Sequence, residues 1–280
     1  MQCISPAGLH KMEYYEWGDP ANPRVLVCVH GLTRSGRDFD VLAQALQGDY
    51  RVVCPDVVGR CASDWLAQPL GYGVPQYVAD MVTLLARLDV EKVDWFGTSM
   101  GGLIGMTLAG LKGAPIGRML INDVGPRLDF EGLARIGSYV GKAPEFASRA
   151  EGLAYLVSRA ESFGKHTPEQ WEALNTPLLK ERNGKWVVHY DPAIAASFAH
   201  ITPKLAAAGE AALWKSWESI QDRVLIARGA NSDLLSAATA AEMIKRGREV
   251  SMVEIADTGH APTFVQPGQE AIARDFFLGK

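Results

Sequence analysis

Cysteine is scarce in this chain, and no two cysteines stand in a C-x-x-C spacing. The four are Cys3, Cys28, Cys54 and Cys61. Cys28 and Cys54 sit inside apolar runs, where a thiol packs as a small hydrophobe. That pattern suits a reducing compartment, so a cytoplasmic location is expected. A basic surplus is also missing. The 28 Lys and Arg face 32 Asp and Glu, for a formal net charge of −4, which argues against a nucleic-acid partner. No apolar run approaches the length of a membrane span, so no membrane partner is expected. The opening stretch MQCISPAGLHKMEYYEWGDP has no basic segment followed by an apolar one, and does not read as a secretory signal. The histidines lack ligand spacing, so no metal site is legible. No cofactor motif is evident either. The glycines of GTSMGGLIG are spaced loosely like a dinucleotide loop, but they follow the third buried strand and enclose a serine.

What is present is a large apolar fraction, 48% of residues, with 21% charged. This fits a soluble globular protein with a sizeable core. At 280 residues, the chain can make two small domains or one α/β domain carrying an insertion. Strand-like and helix-like stretches alternate. RVLVCVH (Arg24–His30), YRVVCPD (Tyr50–Asp56), VDWFG (Val93–Gly97), RMLINDVG (Arg118–Gly125), DRVLIARG (Asp222–Gly229) and VSMVEIAD (Val250–Asp257) read as strands. Gln76–Leu88 and Ala237–Lys245 read as helices between them. The alternation predicts a mostly parallel sheet covered by helices on both faces. MEYYEWGDPANP near the start predicts an antiparallel strand ending in a turn.

One interval breaks the rhythm. Between Pro126 and Trp214 the stretches are helical, apart from KWVVHY (Lys185–Tyr190). So long an interval is no simple loop. The division expected is a core of residues 1–125 and 213–280, with 126–212 as a mainly helical lid.

FGTSMGGL (Phe96–Leu103) places three glycines and a serine directly after a buried strand and at the start of a helix. Gly97, Ser99 and Gly101 form G-x-S-x-G. A sharp strand-to-helix turn forces the central serine into a left-handed backbone and leaves no room for side chains on either side. A serine needs a base, and the base needs a third group to orient it. His260 in ADTGHAPTF follows the last strand. Asp233 in RGANSDLLS follows the strand before it. Ser99, Asp233 and His260 would then share the carboxyl edge of the sheet, where open α/β folds build their sites. Asp123 in INDVGP is the alternative acid; its other reading is an anchor for the lid junction through the backbone of VGPR. His10, His166, His189 and His200 lie in the terminal segment or the insertion and suit the role less. His30-Gly31-Leu32 ends the first buried strand. The backbone N–H groups of Leu32 and Met100 are the candidate oxyanion donors, with His30 shaping the loop.

These motifs resemble the α/β-hydrolase superfamily. His30-Gly31, PDVVGRCAS, GTSMGG, RGANSD and GHAP match it over nearly the whole chain outside the insertion. The insertion stands where that superfamily carries its cap domain. The resemblance implies the α/β-hydrolase fold and a Ser–Asp–His triad that needs no cofactor or metal. One position departs from the pattern: Cys61 replaces the second glycine of P-D-x-x-G-x-G-x-S, either narrowing the pocket or occupying a permissive turn.

Ser99 counts against the relatives that use an aspartate nucleophile, the epoxide hydrolases and haloalkane dehalogenases. Enol-lactone hydrolases and carbon–carbon bond hydrolases share SMGG. The latter typically follow their His-Gly with a G-P-G type loop and place Trp after the histidine, unlike HGLTRSGRDF and GHAPTF here. The expected function is therefore a serine hydrolase of a small carboxylic ester, thioester or lactone. A carbon–carbon hydrolase of a vinylogous diketone, or a non-catalytic binding protein on the same fold, is the alternative. Arg34 lies close after the oxyanion loop and could pair with a substrate carboxylate; an ion pair with Asp38 or Asp40 is the plainer reading. The expected partner is a small-molecule substrate, and the sequence is compatible with a homo-oligomer.

Overall fold

The computed structural model describes residues 1–196 and 202–279. A hairpin opens the chain, pairing β1 (Gln2–Ser5) with β2 (Gly8–Lys11). β3 (Tyr14–Trp17), β4 (Val25–Val29), β5 (Arg51–Pro55), β6 (Val93–Thr98) and β7 (Ile116–Asn122) follow. With β11 (Val224–Gly229) and β12 (Val250–Ile255) they form a seven-stranded sheet of order β12-β11-β7-β6-β4-β5-β3. Only β3 runs antiparallel, against β5. This matches the expectation of a mostly parallel sheet with one antiparallel strand near the start.

The strand sequences explain the layering. β4 reads VLVCV and every residue of it is buried, as befits a strand covered on both faces. Alternate side chains feed two cores. Val25, Val27, Val29, Trp95, Met119 and Ile121 face one way. They meet α2 (Val74–Leu88) through Met81 and Leu84 and α3 (Met100–Ala109) through Ile104. Leu26, Cys28, Cys54, Phe96 and Leu120 face the other way. They meet α1 (Asp40–Leu46) through Leu42 and Leu46 and the terminal helix Pro267–Leu278 through Phe277. Cys28 and Cys54 are thus core residues, as their apolar flanks imply.

The interval after β7 holds α4 (Phe130–Gly137), α5 (Arg149–Arg159) and α6 (Pro168–Asn175). It also holds a small antiparallel sheet of β8 (Glu145–Phe146), β9 (Leu179–Arg182) and β10 (Lys185–Val188), in the order β8-β10-β9. Lys185–Val188 was legible as a strand. Its partner LKER was not, because its residues beyond Leu179 are polar and exposed and show no alternation. The expected boundary at residue 212 falls inside α7 (Pro203–Ser219), whose Trp214 and Trp217 are buried against the main body. α8 (Ala237–Arg246) and α9 (Pro267–Leu278) complete the helices used below. Phe198 and His200 lie outside the described residues. Among the described residues, no helix is long and apolar enough to cross a membrane.

A polar cluster on the first hairpin lies away from the sheet edge considered below. The side chains of Cys3, His10 and Asp80 come within 4.8 Å of one another and are buried. His10 Nε2 stands 3.1 Å from both Asp80 carboxylate oxygens, which ties the first hairpin to α2. Cys61 has φ of 45°, in the left-handed region that glycine adopts at no steric cost. Its N–H donates to the His189 carbonyl at 2.8 Å. Cys61 therefore occupies a turn where a glycine would be at ease, and stitches it to the segment after β10.

Candidate active site

Ser99 is the single residue between β6 and α3, with φ 51° and ψ −114°. That backbone is strained for a residue with a Cβ. It is held on both sides: the Ser99 N–H donates to the Asn122 carbonyl at 2.9 Å, and its own carbonyl accepts from Gly102 N–H at 2.8 Å. The flanking glycines are steric requirements. A Cβ on Gly101 would fall on the Val29 carbonyl, and one on Gly97 would fall on the backbone of Gly101. Neither contact involves a flexible side chain that could move aside. Gly101→Ala is therefore expected to destabilise the fold by at least about 3 kcal/mol, at the upper end of overpacking effects. Urea unfolding of the variant measures this; an unchanged midpoint would mean that the turn is softer than the packing implies.

His260 lies in the segment after β12. Its Nε2 is 2.9 Å from Ser99 Oγ. Its Nδ1 is 2.9 Å from Asp123 Oδ2. A carboxylate can only accept, so Nδ1 carries the hydrogen and Nε2 is free to accept the Ser99 hydroxyl proton. Asp123 itself is fully buried. Its other bonds come from the Gly229 N–H at 2.8 Å and the Ser232 hydroxyl at 2.7 Å. Three donors thus converge on one carboxylate and fix its orientation.

The contact expected of Asp233 is therefore made by Asp123. Asp233 turns its carboxylate to α4, where Arg135 grips it with Nε at 2.6 Å and a terminal nitrogen at 2.9 Å. This hydrogen-bonded guanidinium holds the Asp233 carboxyl below its usual range. The physical reason lies in the turn after β11. Ser232, one residue earlier, points at Asp123, so Asp233 points outward. Asp123 does not take the role weighed for it as an anchor of VGPR either; its backbone donor is Gly229. The histidine segment passes directly over Gly229, where a Cβ would strike the carbonyls of Thr258 and Gly259. RGANSD is thus important for reasons other than its aspartate.

Met100 follows Ser99 in the chain, and Leu32 shares a cavity lining with both. Met100 begins α3, so its N–H has no carbonyl one turn back to bond. His30 is fully buried. Its Nε2 accepts from Val57 N–H at 3.0 Å and its Nδ1 donates to the Gly31 carbonyl at 2.7 Å. Burial pushes its pKa down to about 3, so it is a neutral brace between two loops.

A family model described as the alpha/beta hydrolase family matches residues 26–274. The chain belongs to the α/β-hydrolase family. Among α/β hydrolases and other curated proteins, it is similar to a 3-hydroxybutyrate-oligomer hydrolase of Cupriavidus necator. The two are 63% identical over 283 residues, covering 100% of this chain and 97% of that protein. It is also similar to the solved structure of an alpha/beta hydrolase from Novosphingobium aromaticivorans. There the TM-score is 0.85 at 34% identity, covering 99% of this chain and 97% of the other. The enol-lactonase from Burkholderia xenovorans shares the fold, with a TM-score of 0.72 at 20% identity over 97% of both chains.

In this α/β hydrolase two cavities meet at Ser99. One is narrow, about 90 Å³, and includes His260, Tyr139, Tyr155 and three arginines, Arg34, Arg135 and Arg159. The other is wider, about 560 Å³, and mainly apolar, with Leu103, Val124, Leu128 and Leu213 in its wall. Much of both linings comes from the interval after β7. Arg34 is already engaged. It donates to both Asp38 oxygens, at 2.8 and 2.6 Å. It also donates to the Leu174 carbonyl at 2.9 Å and to Asn175 Oδ1 at 3.0 Å. It ties the end of α6 to the loop after β4, with little left to offer a ligand. Arg37 pairs with Asp40 at 2.6 Å. Cys61 lines neither cavity.

The insertion also grips the histidine segment. Ser162 Oγ donates to the His260 carbonyl at 2.6 Å, and Gly259 N–H donates to the Ser162 carbonyl at 2.6 Å. His166 Nε2 lies 2.7 Å from Thr263 Oγ1. Sequence reasoning missed Ser162, Ser232 and Gly229. Ser232 stood beside the expected acid, but nothing in the sequence distinguished their directions.

Proposed function

We propose that this chain is a serine hydrolase of carboxylic esters, and that its substrate is a short oligomer of a 3-hydroxy acid joined by ester bonds. The observation that carries the reading is the continuous hydrogen-bond chain from Ser99 Oγ through His260 to buried Asp123, each link 2.9 Å long. The relative from Cupriavidus necator supports the choice of substrate. His260 takes the Ser99 proton as Oγ attacks the ester carbon. Asp123 holds the correct tautomer and stabilises the imidazolium that forms. The N–H groups of Leu32 and Met100 receive the negative charge on the carbonyl oxygen. His260 then protonates the departing alkoxide, and water hydrolyses the acyl-enzyme by the same relay in reverse. The interval from residue 126 to α7 acts as a lid that keeps bulk water from the intermediate.

The test is turnover of 3-hydroxybutyrate dimer and trimer beside p-nitrophenyl butyrate and a vinylogous diketone. Mass spectrometry of the quenched reaction looks for the acyl adduct. Oligomers are expected to be cleaved and a butyryl adduct to accumulate on the peptide containing Ser99. Rapid diketone cleavage with no ester turnover would replace this reading with carbon–carbon hydrolysis. Ester turnover without oligomer turnover would keep the mechanism and reject the substrate.

A further inference from the structure

The two cavities that share Ser99 differ in chemistry, and the difference assigns a direction to the substrate. This rests on the ester-hydrolase reading above. His260 lines the narrow cavity and is absent from the lining of the wide one. The imidazole must hand its proton to the departing oxygen. The alcohol part of the ester therefore lies in the narrow cavity, and the acyl part in the wide apolar one.

The charge of the narrow cavity then specifies the alcohol. Of its three guanidiniums, Arg34 is paired with Asp38 and Arg135 with Asp233. Arg159, in the last turn of α5, pairs with no carboxylate among the described residues; its guanidinium stands over the Tyr155 ring, 5.2 Å to the centroid. Tyr155 stands four residues earlier on the same helix face and also lines this cavity. Stacking on it steadies the guanidinium fork without consuming its donors. The cavity thus has one cation without a counter-ion, on the leaving-group side of Ser99.

We infer that Arg159 is a carboxylate-binding residue that selects esters whose leaving alcohol carries an acid group. In an oligomer of 3-hydroxybutyrate every leaving fragment ends in that carboxylate, and the narrow cavity, about 90 Å³, has room beside His260 for the single carboxyl-terminal unit. The wide cavity takes the remaining units as the acyl chain, which is uncharged and apolar along its methyl edge. The first step forms the Ser99 Oγ–acyl bond and breaks the bond to the terminal unit's oxygen. That oxygen takes the proton from His260 and leaves as free 3-hydroxybutyrate. Water then releases an oligomer one unit shorter, with a new carboxyl terminus. The enzyme shortens chains one unit at a time from the carboxyl end.

Two measurements on the full-length protein test this. The first compares kcat/KM for the 3-hydroxybutyrate dimer as free acid and as its methyl ester, in wild type, Arg159→Gln and Arg159→Lys. The free-acid to methyl-ester ratio is expected to fall about tenfold in Arg159→Gln, the scale of one charge-assisted hydrogen-bonded contact, mostly through KM. Arg159→Lys should fall between the two, since it keeps the charge and loses the fork. The second is competitive inhibition of p-nitrophenyl butyrate hydrolysis by 3-hydroxybutyrate itself. Its inhibition constant should rise by a similar factor in Arg159→Gln, while that of methyl 3-hydroxybutyrate should not follow. If the dimer is cleaved but neither the ratio nor the inhibition constant moves, the carboxylate subsite is wrong and the oligomer reading survives. If the dimer is not cleaved but inhibition depends on Arg159, the oligomer reading fails and the subsite stands. Release of the hydroxyl-terminal unit first, from a trimer labelled at that end, would overturn the direction.

Discussion

Ser99→Ala is expected to lower kcat for ester hydrolysis by about 10⁶-fold, the scale reported when the nucleophile of a serine hydrolase is removed. Removing one oxygen does this because every other part of the relay depends on it. Without Oγ, His260 Nε2 has no hydroxyl to deprotonate, and Asp123 stabilises a charge that does not form. Alanine cannot strain the turn further than serine does, since both carry a single Cβ at the same φ. The thermal midpoint should therefore stay near that of wild type, which separates lost chemistry from lost fold. Single-turnover kinetics with p-nitrophenyl butyrate, with labelling by a fluorophosphonate, reads the result. Retained labelling in the alanine variant would place the nucleophile elsewhere.

Asp123→Asn is expected to lower kcat by about 10²–10⁴-fold, the range associated with loss of a triad acid. The amide can still accept from Gly229 N–H through its oxygen. What it cannot do is accept from His260 Nδ1–H if its NH₂ group faces the ring. The imidazole then turns to the tautomer that presents a hydrogen to Ser99 instead of a lone pair. Asp233→Asn provides the contrast. It loosens a partly buried ion pair with Arg135, worth about 1 kcal/mol, and leaves the Asp123–His260–Ser99 hydrogen bonds intact. Its kcat should remain within about threefold of wild type, consistent with so small an energy. Comparable losses in the two variants would mean that Asp233 reaches the histidine during turnover.

The pair of aspartates also marks where the sequence stopped being legible. The strands of the main sheet could be read because burial on both faces writes itself as unbroken runs such as RVLVCVH and YRVVCPD. Ser99 stood out because the turn that presents it demands glycine, and His260 because it follows the last strand while His30, which also follows a strand, reads as shaping its own loop. The acid could not be chosen that way. Asp123 and Asp233 both follow strands, and the decision rests on which way one turn points its side chains. Ser232 and Asp233 face opposite directions there, a matter of local dihedral angles with no compositional trace. The ion pair of Arg34 with Asp38 was legible as the plainer reading of that arginine, but its hold on the insertion was not. Its partners Leu174 and Asn175 lie 140 and 141 residues away, beyond the reach of any local pattern. The small sheet of the insertion was half visible, because β10 carries its apolar residues and β9 is polar past its first residue.

The hold that Ser162 has on the His260 carbonyl bears on how this family diversifies. An insertion that merely roofs a site can be exchanged for another, with only specificity changing. Here the same segment supports, from behind, the histidine proposed as general base. Cutting it away would expose the cavity and release the imidazole from its mooring together. On the proposed mechanism, recombination that trades this insertion for a foreign one must therefore bring an equivalent support for residue 260, which makes the segment part of the scaffold and not an interchangeable module.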